Sequence, residues 1–183
     1  EPTVLLENKS PYHIFYDKDA VQYSAYIQDK MEYSSMIMNV GLRYDAFIPN
    51  DSTIANLIYP EADEKEATTK TMISPRIGVS LPITDKGIFH FSYGHFYQMP
   101  TLRNLYRESY FGAGLSPTVG NPDLKPEKTV LYEFGFQQQF GNMIGMDINL
   151  FHKDIRELLA LQSIRYNSPN YGPSNYSIYL NKD

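Results

Sequence analysis

The sequence predicts an all-β fold, an antiparallel up-and-down meander that is a fragment of a transmembrane β-barrel. Six segments alternate apolar and polar residues with the two-residue period of a strand whose faces differ. Short turns and loops of about twenty residues or more alternate strictly between these segments. Helical spacing is confined to a turn or two after Pro100, so we expect strands to build nearly the whole fold.

The first two strands are predicted at 20–32 and 36–48. In the first strand the apolar positions are mostly odd: Val21, Tyr23, Ala25 and Ile27 alternate with Gln22, Ser24 and Gln28. In the second strand the apolar positions are even: Met36, Met38, Val40, Leu42 and Tyr44 alternate with Asn39, Gly41, Arg43 and Asp45. Because successive side chains of a strand point to opposite faces, each strand has one apolar and one polar face.

Four further strands are predicted at 72–83, 88–97, 127–140 and 143–153. Each has an apolar side, which carries Ile77, Val79, Phe89, Phe91, Phe134, Phe136, Ile148 and Leu150 among others. A seventh strand could begin at 177–180. Strands of this length approach the roughly 9 to 11 residues that a tilted membrane crossing needs.

The connections fall into two classes. Those at 33–35, 84–87 and 140–142 are short, whereas those at 49–71, 98–126 and 154–176 are long, and 1–19 is predicted to end an earlier loop. Loops of that size count against a compact domain unless they are functional. Short turns at one rim and long loops at the other are typical of an outer-membrane barrel.

A barrel with lipid outside and water inside explains both faces of these strands. The side chains predicted to face the lumen are Asn39, Arg43, Asp45, Arg76, Ser80, Glu133, Asp147 and Asn149. The 16 tyrosines suit the aromatic girdles of such a barrel. A soluble β-sandwich also alternates, but it would bury Val40, Phe91, Phe134 and Ile148 between two layers and seldom keeps its long connections at one end.

Composition excludes several classes of protein. The longest plain apolar run, 158–161, is too short for a membrane-spanning helix, and the absence of cysteine removes disulfides, thiolate metal ligands and thiol nucleophiles. A formal charge of −5 without a dense Lys/Arg run argues against nucleic acid as a partner. The first residue is Glu rather than Met, and we expect the chain to be an internal piece of a longer protein.

Catalytic, metal and cofactor signatures are not found in the sequence. His90 and His95 are five residues apart on one predicted strand, so they point to opposite faces and cannot share a metal. The segment 114–118 lacks the last glycine of a serine-hydrolase elbow, and 112–114 lacks the third glycine of a dinucleotide loop. We therefore predict no enzyme, no metal and no cofactor.

Several stretches resemble the barrel of TonB-dependent outer-membrane receptors. They lie at 26–30, 41–45, 74–78, 91–94 and 121–127. The most specific is Asn-Pro-Asp-Leu-Lys-Pro-Glu at 121–127, which enters a strand downstream of Gly-Leu-Arg-Tyr-Asp at 41–45. The resemblance covers roughly residues 20–183, in matching order and spacing.

The resemblance implies a 22-stranded barrel in the outer membrane of a Gram-negative bacterium, of which this chain supplies about six to seven strands. Such a receptor imports a bulky, scarce ligand, an iron chelate, cobalamin, an oligosaccharide or a peptide, with energy delivered through TonB. The implied partners are outer-membrane lipid, a plug domain of the same parent chain, TonB through a missing N-terminal part, and an unknown ligand. No plug domain is recognisable within residues 1–183.

Two alternatives to an active importer stay open. One is a passive porin or adhesin-like barrel, and the other is a soluble carbohydrate-binding sandwich. In either barrel the outer loops are expected to bind the ligand, because binding residues concentrate on loops held by a rigid scaffold. The candidates are guanidinium and aromatic groups suited to an anionic chelate or a sugar: Arg103, Tyr106, Arg107, Tyr110, Arg165, Tyr166 and Tyr171.

Overall fold

The structure is a computed structural model, and it describes residues 17–107 and 116–183. Its elements are β1 Val21–Tyr33, β2 Met36–Ile48, β3 Ser52–Ile54, β4 Glu64–Glu66, β5 Lys70–Thr84, β6 Gly87–Gln98, α1 Leu102–Tyr106, β7 Thr118–Val119, β8 Glu127–Phe140, β9 Ile144–Arg156, β10 Leu158–Ser168 and β11 Gly172–Lys182. No helix in the described ranges is long and apolar enough to cross a membrane.

Six long strands form one antiparallel sheet in the order β1-β2-β5-β6-β8-β9. Each strand pairs with the next long strand along the chain, so the sheet is an up-and-down meander. Its first and last strands do not meet, so the barrel is not closed. The predicted fold class, an all-β fragment of a larger barrel, is confirmed.

The two ends of the sheet differ. At the end that we call the turn end, β1 and β2, β5 and β6, and β8 and β9 are joined by turns of two or three residues. The longer segments between β2 and β5 and between β6 and β8 lie at the opposite end, because neighbouring strands are antiparallel. We call this the cap end.

The register divides the sheet into an apolar face and a polar face. Phe91 pairs with Val79 on one side and with Phe134 on the other, and Phe134 pairs with Leu150. Phe91, Phe134 and Ile148 are 41%, 44% and 46% exposed, respectively. These exposures exclude a sandwich, in which a second layer would cover the apolar residues.

Aromatic contacts between strands hold the apolar face together. The ring of Phe89 lies 4.7 Å from that of Phe136 and 5.3 Å from that of Phe134, measured between centroids. Tyr93 and Tyr132 are 5.0 Å apart in the same way. Since cross-strand aromatic pairs stabilise one register over another, these contacts fix how β6 and β8 align.

The segments at the cap end fold into a compact unit that we call the cap: residues 49–69, 99–107 and 116–126 with β10 and β11. One buried cluster joins Phe47, Leu105, Tyr106 and Leu124. A second joins Tyr166, Tyr176 and Ile178, with Ile54, Leu57 and Val119 packed against it. The buried hydrophobic clusters of the described residues therefore lie at the cap end, where Phe47 is the residue that the long sheet contributes.

The structure differs from the expectation of a long loop at 154–176. The chain instead continues from β9 into β10 and returns as β11, which pairs with β10 along its whole length and with β7 in parallel. Pro169, Asn170 and Gly172 favour a loop in the sequence, but they mark only the hairpin turn and the first residue of β11, where Gly172 has a φ of 72°. Packing of alternate residues into the cap, such as Tyr166 and Ser168, makes the flanking residues strands.

The other long connections also contain short elements. The β3–β4 hairpin lies within 49–71 and β7 lies within 98–126, and their strands of two or three residues are too short to show a period in the sequence. The helix α1, also within 98–126, lies where the sequence shows helical spacing after Pro100. Most of the predicted loop 1–19 lies outside the described residues.

A polar network crosses three strands near the turn end of the polar face. His90 Nε2 lies 3.1 Å from Asn149 Oδ1, and Asn149 donates to Asp147 at 3.0 Å. Gln137 donates to the other carboxylate oxygen of Asp147 at 3.1 Å. Gly135 lies between His90 and Asn149 in the register and makes this network possible, because a Cβ there would overlap the imidazole of His90.

We predict that Gly135→Ala, in the complete protein, lowers the free energy of unfolding by about 1 kcal/mol or more, because His90 must rotate and its contact with Asn149 is lost. Gly145→Ala is the matched control, since a Cβ on Gly145 meets nothing within 4 Å. Denaturant unfolding in lipid vesicles measures both. Equal effects of the two alanines would contradict the prediction.

Candidate functional site

The register places all eight residues that were predicted to face the lumen on the polar face of the sheet. Arg43 is opposite Ser74, Gly41 is opposite Arg76, and Ser80 is opposite both Ile37 and His90. The remaining five, Asn39, Asp45, Glu133, Asp147 and Asn149, follow in the same register. The structure brings two pairs into contact, Arg43 with Asp45 and Asp147 with Asn149.

A cleft of about 300 Å³ opens on this face near the cap end. It is lined by side chains of β1, β2, β5 and β6 and by Met99 just beyond β6. Arg43 donates two hydrogen bonds to Asp45, at 2.8 and 2.7 Å, in the forked geometry that suits guanidinium and carboxylate. Arg76 lies over the ring of Phe96, with 4.9 Å between the guanidinium carbon and the ring centroid.

The cap is joined to the sheet through the carboxylate of Asp123. Lys70 and Lys65 form ion pairs with it at 2.7 and 3.0 Å. The amide and hydroxyl of Thr68 also donate to it, at 3.0 and 2.7 Å. Four donor groups, from β4, β5 and the loop between them, therefore meet at one side chain, and Lys70, the first residue of β5, is 6% exposed.

These contacts determine the pKa of Asp123. Partial burial alone would raise it, but the hydrogen bonds from Lys70, Thr68 and Lys65 outweigh that effect and hold the pKa well below its usual range. The carboxylate is therefore charged at every physiological pH. It keeps the loop that follows β4 attached to the segment that leads into β8.

Two asparagines complete the attachment of the segment before β8. Asn121 donates to the carbonyl of Tyr179 at 3.0 Å and accepts from the hydroxyl of Thr53 at 2.9 Å. Asn181 accepts from the amide of Lys125 at 2.8 Å and donates to the carbonyl of the same residue at 3.0 Å. The stretch 121–127 thus joins all parts of the cap, in agreement with a structural role for it.

The junction between β9 and β10 is a bend at Glu157. Its φ of 57° is unusual for a residue other than glycine. The amide of Glu157 donates to Asp183 at 2.9 Å, its carbonyl accepts from Asn181 at 2.9 Å, and its carboxylate pairs with Lys125 at 2.8 Å. All polar groups of this residue are thus bonded, which stabilises the bend and fixes the direction in which the hairpin leaves the sheet.

Two of the loop residues predicted to bind ligand are buried within the cap. Tyr106 is 3% exposed and donates to the carbonyl of Pro49 at 2.8 Å, while Tyr166 is 5% exposed and donates to Glu61 at 2.9 Å. Burial, with the nearby acidic groups, raises the pKa of both hydroxyls. Their rings pack in the two buried clusters, so the structure argues against a ligand-binding role for them.

The other loop candidates lie in two parts of the cap. Arg103 is exposed on α1, and Arg107, half-buried directly after it, donates its amide to the carbonyl of Arg103 at 3.2 Å. Arg165 is exposed on β10, and Tyr171 is exposed in the turn between β10 and β11. Tyr110 lies outside the described residues.

No motif in the sequence predicted the Asp123 site. Lys70 and Asp123 are 53 residues apart, and no motif spacing connects them. Phe96 was assigned no role, although its ring supports Arg76. The only available signal was the lysine at the start of β5, where an otherwise alternating strand begins with a buried charge.

Fold and site together define the class of this protein: one wall of an outer-membrane-type β-barrel, with loops folded over one end. A comparison with protein-family profiles matches residues 4–181 to the family described as TonB dependent receptor-like, beta-barrel. The chain therefore belongs to the β-barrel domain family of TonB-dependent receptors, whose members are proteins of Gram-negative outer membranes. A comparison with curated protein sequences finds no match.

Solved structures with a similar fold include two receptors. The copper transporter OprC matches with a TM-score of 0.55 and 18% identity, over 90% of this chain and 26% of OprC. The siderophore receptor PirA from Acinetobacter baumannii matches with a TM-score of 0.49 and 15% identity, over 89% of this chain and 32% of PirA. The chain thus spans about a quarter to a third of these receptors.

We predict that Asp123→Asn, in the complete protein, increases hydrogen exchange at the Thr68 amide at least about tenfold, because hydrogen bonds to a charged group contribute roughly 1.5–3 kcal/mol. Lys70, which is nearly buried, would also lose its charged partner. The matched control is Asp63→Asn, since Asp63 is an exposed aspartate directly before β4. Mass spectrometry of peptides that cover 65–70 measures both variants.

The same contact sets a pH dependence. Because the pKa of Asp123 is lower in the folded protein than its unfolded value of about 3.9, its contribution is fully present above that value. The contribution is lost as the pH falls through the folded pKa. The difference in exchange between wild type and Asp123→Asn should therefore be constant from pH 7 to 5 and shrink below about 3.9. A difference that grows with acidity would contradict this assignment.

Proposed function

We propose that the chain is part of an active-transport receptor of the Gram-negative outer membrane, which imports a bulky, scarce ligand with energy supplied through TonB. The observation that carries the proposal is the pairing of a two-faced meander with a folded cap at one end, in a chain that matches the family over residues 4–181. The ligand classes remain those of the sequence analysis: an iron chelate, cobalamin, an oligosaccharide or a peptide.

The two faces support the membrane location. Lipid cannot hydrogen-bond to the backbone, so a crossing sheet must pair its strands and cover one face with apolar side chains. Most of the exposed large apolar side chains of the sheet, such as Ile73, Phe134 and Leu150, lie on the apolar face. The polar face, with Arg43, Arg76 and its other charged groups, then lines a wet interior.

The edges of the sheet support the proposed partners within the same protein. β1 pairs only with β2, and β9 only with β8, among the described strands. Unpaired backbone groups in a membrane are costly, so further barrel strands must cover both edges. A plug domain of the parent chain would fill the interior that the polar face lines, and the plug side of the protein would contact TonB.

The cap supports a role in ligand capture. Its buried clusters and the Asp123 contacts hold the loops in a defined shape, so side chains on its surface are presented by a rigid scaffold. We propose Arg103, Arg107, Arg165 and Tyr171 as the residues of this surface that meet the ligand. We propose no catalytic role for the protein.

Electrical recording from the complete protein in planar lipid bilayers separates an importer from a passive porin. An importer closed by a plug is expected to show no steady conductance, whereas a porin conducts at once. Uptake of labelled iron chelate, cobalamin, maltodextrin and peptide by cells with and without the gene, and with and without TonB, then identifies the ligand class. Steady conductance would contradict the proposal. Uptake of all four probes that depends neither on the gene nor on TonB would also contradict it.

We predict that Phe134→Arg lowers the stability of the complete protein in lipid vesicles by about 2–4 kcal/mol, because it places a charge on the lipid face of a central strand. The matched control is Glu133→Arg, the same new side chain one residue earlier on the polar face. The control should change stability by less than about 1 kcal/mol. Similar losses in urea unfolding would show that Phe134 does not face lipid.

A further inference from the structure

Arg76 stands in an unusually open part of the polar face. Its partners in the register are Gly41 on β2 and Gly94 on β6, so neither neighbouring strand has a side chain directly opposite it. Glycine weakens a strand and often marks a site of close approach. Two glycines that flank one arginine leave space around its guanidinium, and clefts lie on both sides of Arg76.

Phe96 supports the guanidinium from one side. Its ring leans back over Gly94, where a Cβ would meet two ring carbons at 3.0 and 3.1 Å and the Arg76 side chain at 3.6 Å. The guanidinium carbon lies 4.9 Å from the ring centroid. A guanidinium on an aromatic ring is held in place without use of its N–H donors, which remain available in its own plane.

The charge of Arg76 is not balanced locally. Its neighbour Arg43 is compensated by the forked ion pair with Asp45. No carboxylate of residues 17–107 or 116–183 lies within the 4.0 Å ion-pair distance of Arg76. The cleft therefore has one compensated and one uncompensated guanidinium, and its net charge is positive.

The cleft is placed to receive a molecule that passes the cap. Asp45 and Met72 lie at the cap end of β2 and β5, and Met99 lies just beyond β6. These three residues form the side of the cleft nearest the cap. Its volume of about 300 Å³ is at the lower limit of small-molecule sites, enough for part of a bulky ligand. A planar fork of donors in such a cleft matches the two oxygens of a carboxylate.

We propose that Arg76, supported by Phe96, binds an oxygen anion, such as a carboxylate, of the ligand on its way through the barrel. The proposal rests on the proposed function, because it requires the polar face to line the transport path. It narrows the ligand classes to those that carry an anionic oxygen group, which excludes a neutral oligosaccharide.

Citrate is the probe for this site, and isothermal titration calorimetry of the complete, purified receptor is the measurement. Arg76→Gln should weaken citrate binding roughly 10- to 100-fold, because hydrogen bonds to charged groups are worth that much. Arg76→Lys should fall between wild type and Arg76→Gln, since it keeps the charge but not the planar fork. Phe96→Leu should weaken binding several-fold, since it removes the supporting ring.

Lys153→Gln is the matched control. Lys153 is a cation of the same face that also lies over a ring, that of Phe151, with 5.4 Å between its nitrogen and the ring centroid. It lines neither of the clefts beside Arg76. Its replacement should leave citrate binding within about twofold of wild type, as for a surface change away from the site. Equal losses for Arg76→Gln and Lys153→Gln would show only general charge attraction and overturn the proposal.

The other outcomes also test the proposal. Absence of citrate binding to the wild type overturns the ligand-binding role of Arg76. If Arg76→Gln then opens a steady conductance, the anion that Arg76 binds belongs to the plug. Citrate binding that depends on Arg76 in a protein that conducts without a plug keeps the anion site and overturns the import proposal. Folding of each variant is checked by its heat-dependent migration in electrophoresis.

Discussion

The structure depends on one constraint: each strand of the long sheet must satisfy its backbone hydrogen bonds with its neighbours while its two sides meet different surroundings. Strand pairing meets the first requirement throughout the six long strands except at the outer edges of β1 and β9, and the two-residue alternation meets the second. A shift of the register by one residue would turn Phe91 and Phe134 to the polar side, so the alternation also specifies the alignment. The buried clusters of the cap lie at one end of the sheet, where Phe47 of β2 joins one of them.

The sheet and the cap are stabilised by different interactions. In the sheet, apolar side chains such as Phe134 and Ile148 remain exposed, so burial within the chain contributes little there. In the cap, Leu105, Leu124 and Tyr176 are almost completely buried, as in a soluble protein, and burial raises the pKa of the Tyr176 hydroxyl to about 12. That hydroxyl donates to the carbonyl of Leu57 at 2.7 Å, so even its polar atom is used for packing.

The sequence predicted the sheet because its rule is local: a period of two is visible in any ten residues, and all eight proposed lumen residues share one face in the register. The cap follows no such rule. Asp123 meets Lys70 and Asn121 meets Tyr179 across more than fifty residues, and Tyr166 becomes buried only when the hairpin packs on the β3–β4 loop. Segments rich in Pro, Asn and Tyr were therefore interpreted as ligand-binding loops, although two of their tyrosines, Tyr106 and Tyr166, are interior side chains.

The bend at Glu157 separates the long sheet, which ends with β9, from the β10–β11 hairpin of the cap. Because one residue, with every polar group bonded, sets the angle at which the hairpin departs, changes farther along that hairpin need not propagate to the strands below. Such a bend lets substitutions accumulate in the hairpin while the register of the long sheet stays constant. The exposed surface of the cap is therefore free to diverge between related sequences without a change in the strands that carry it.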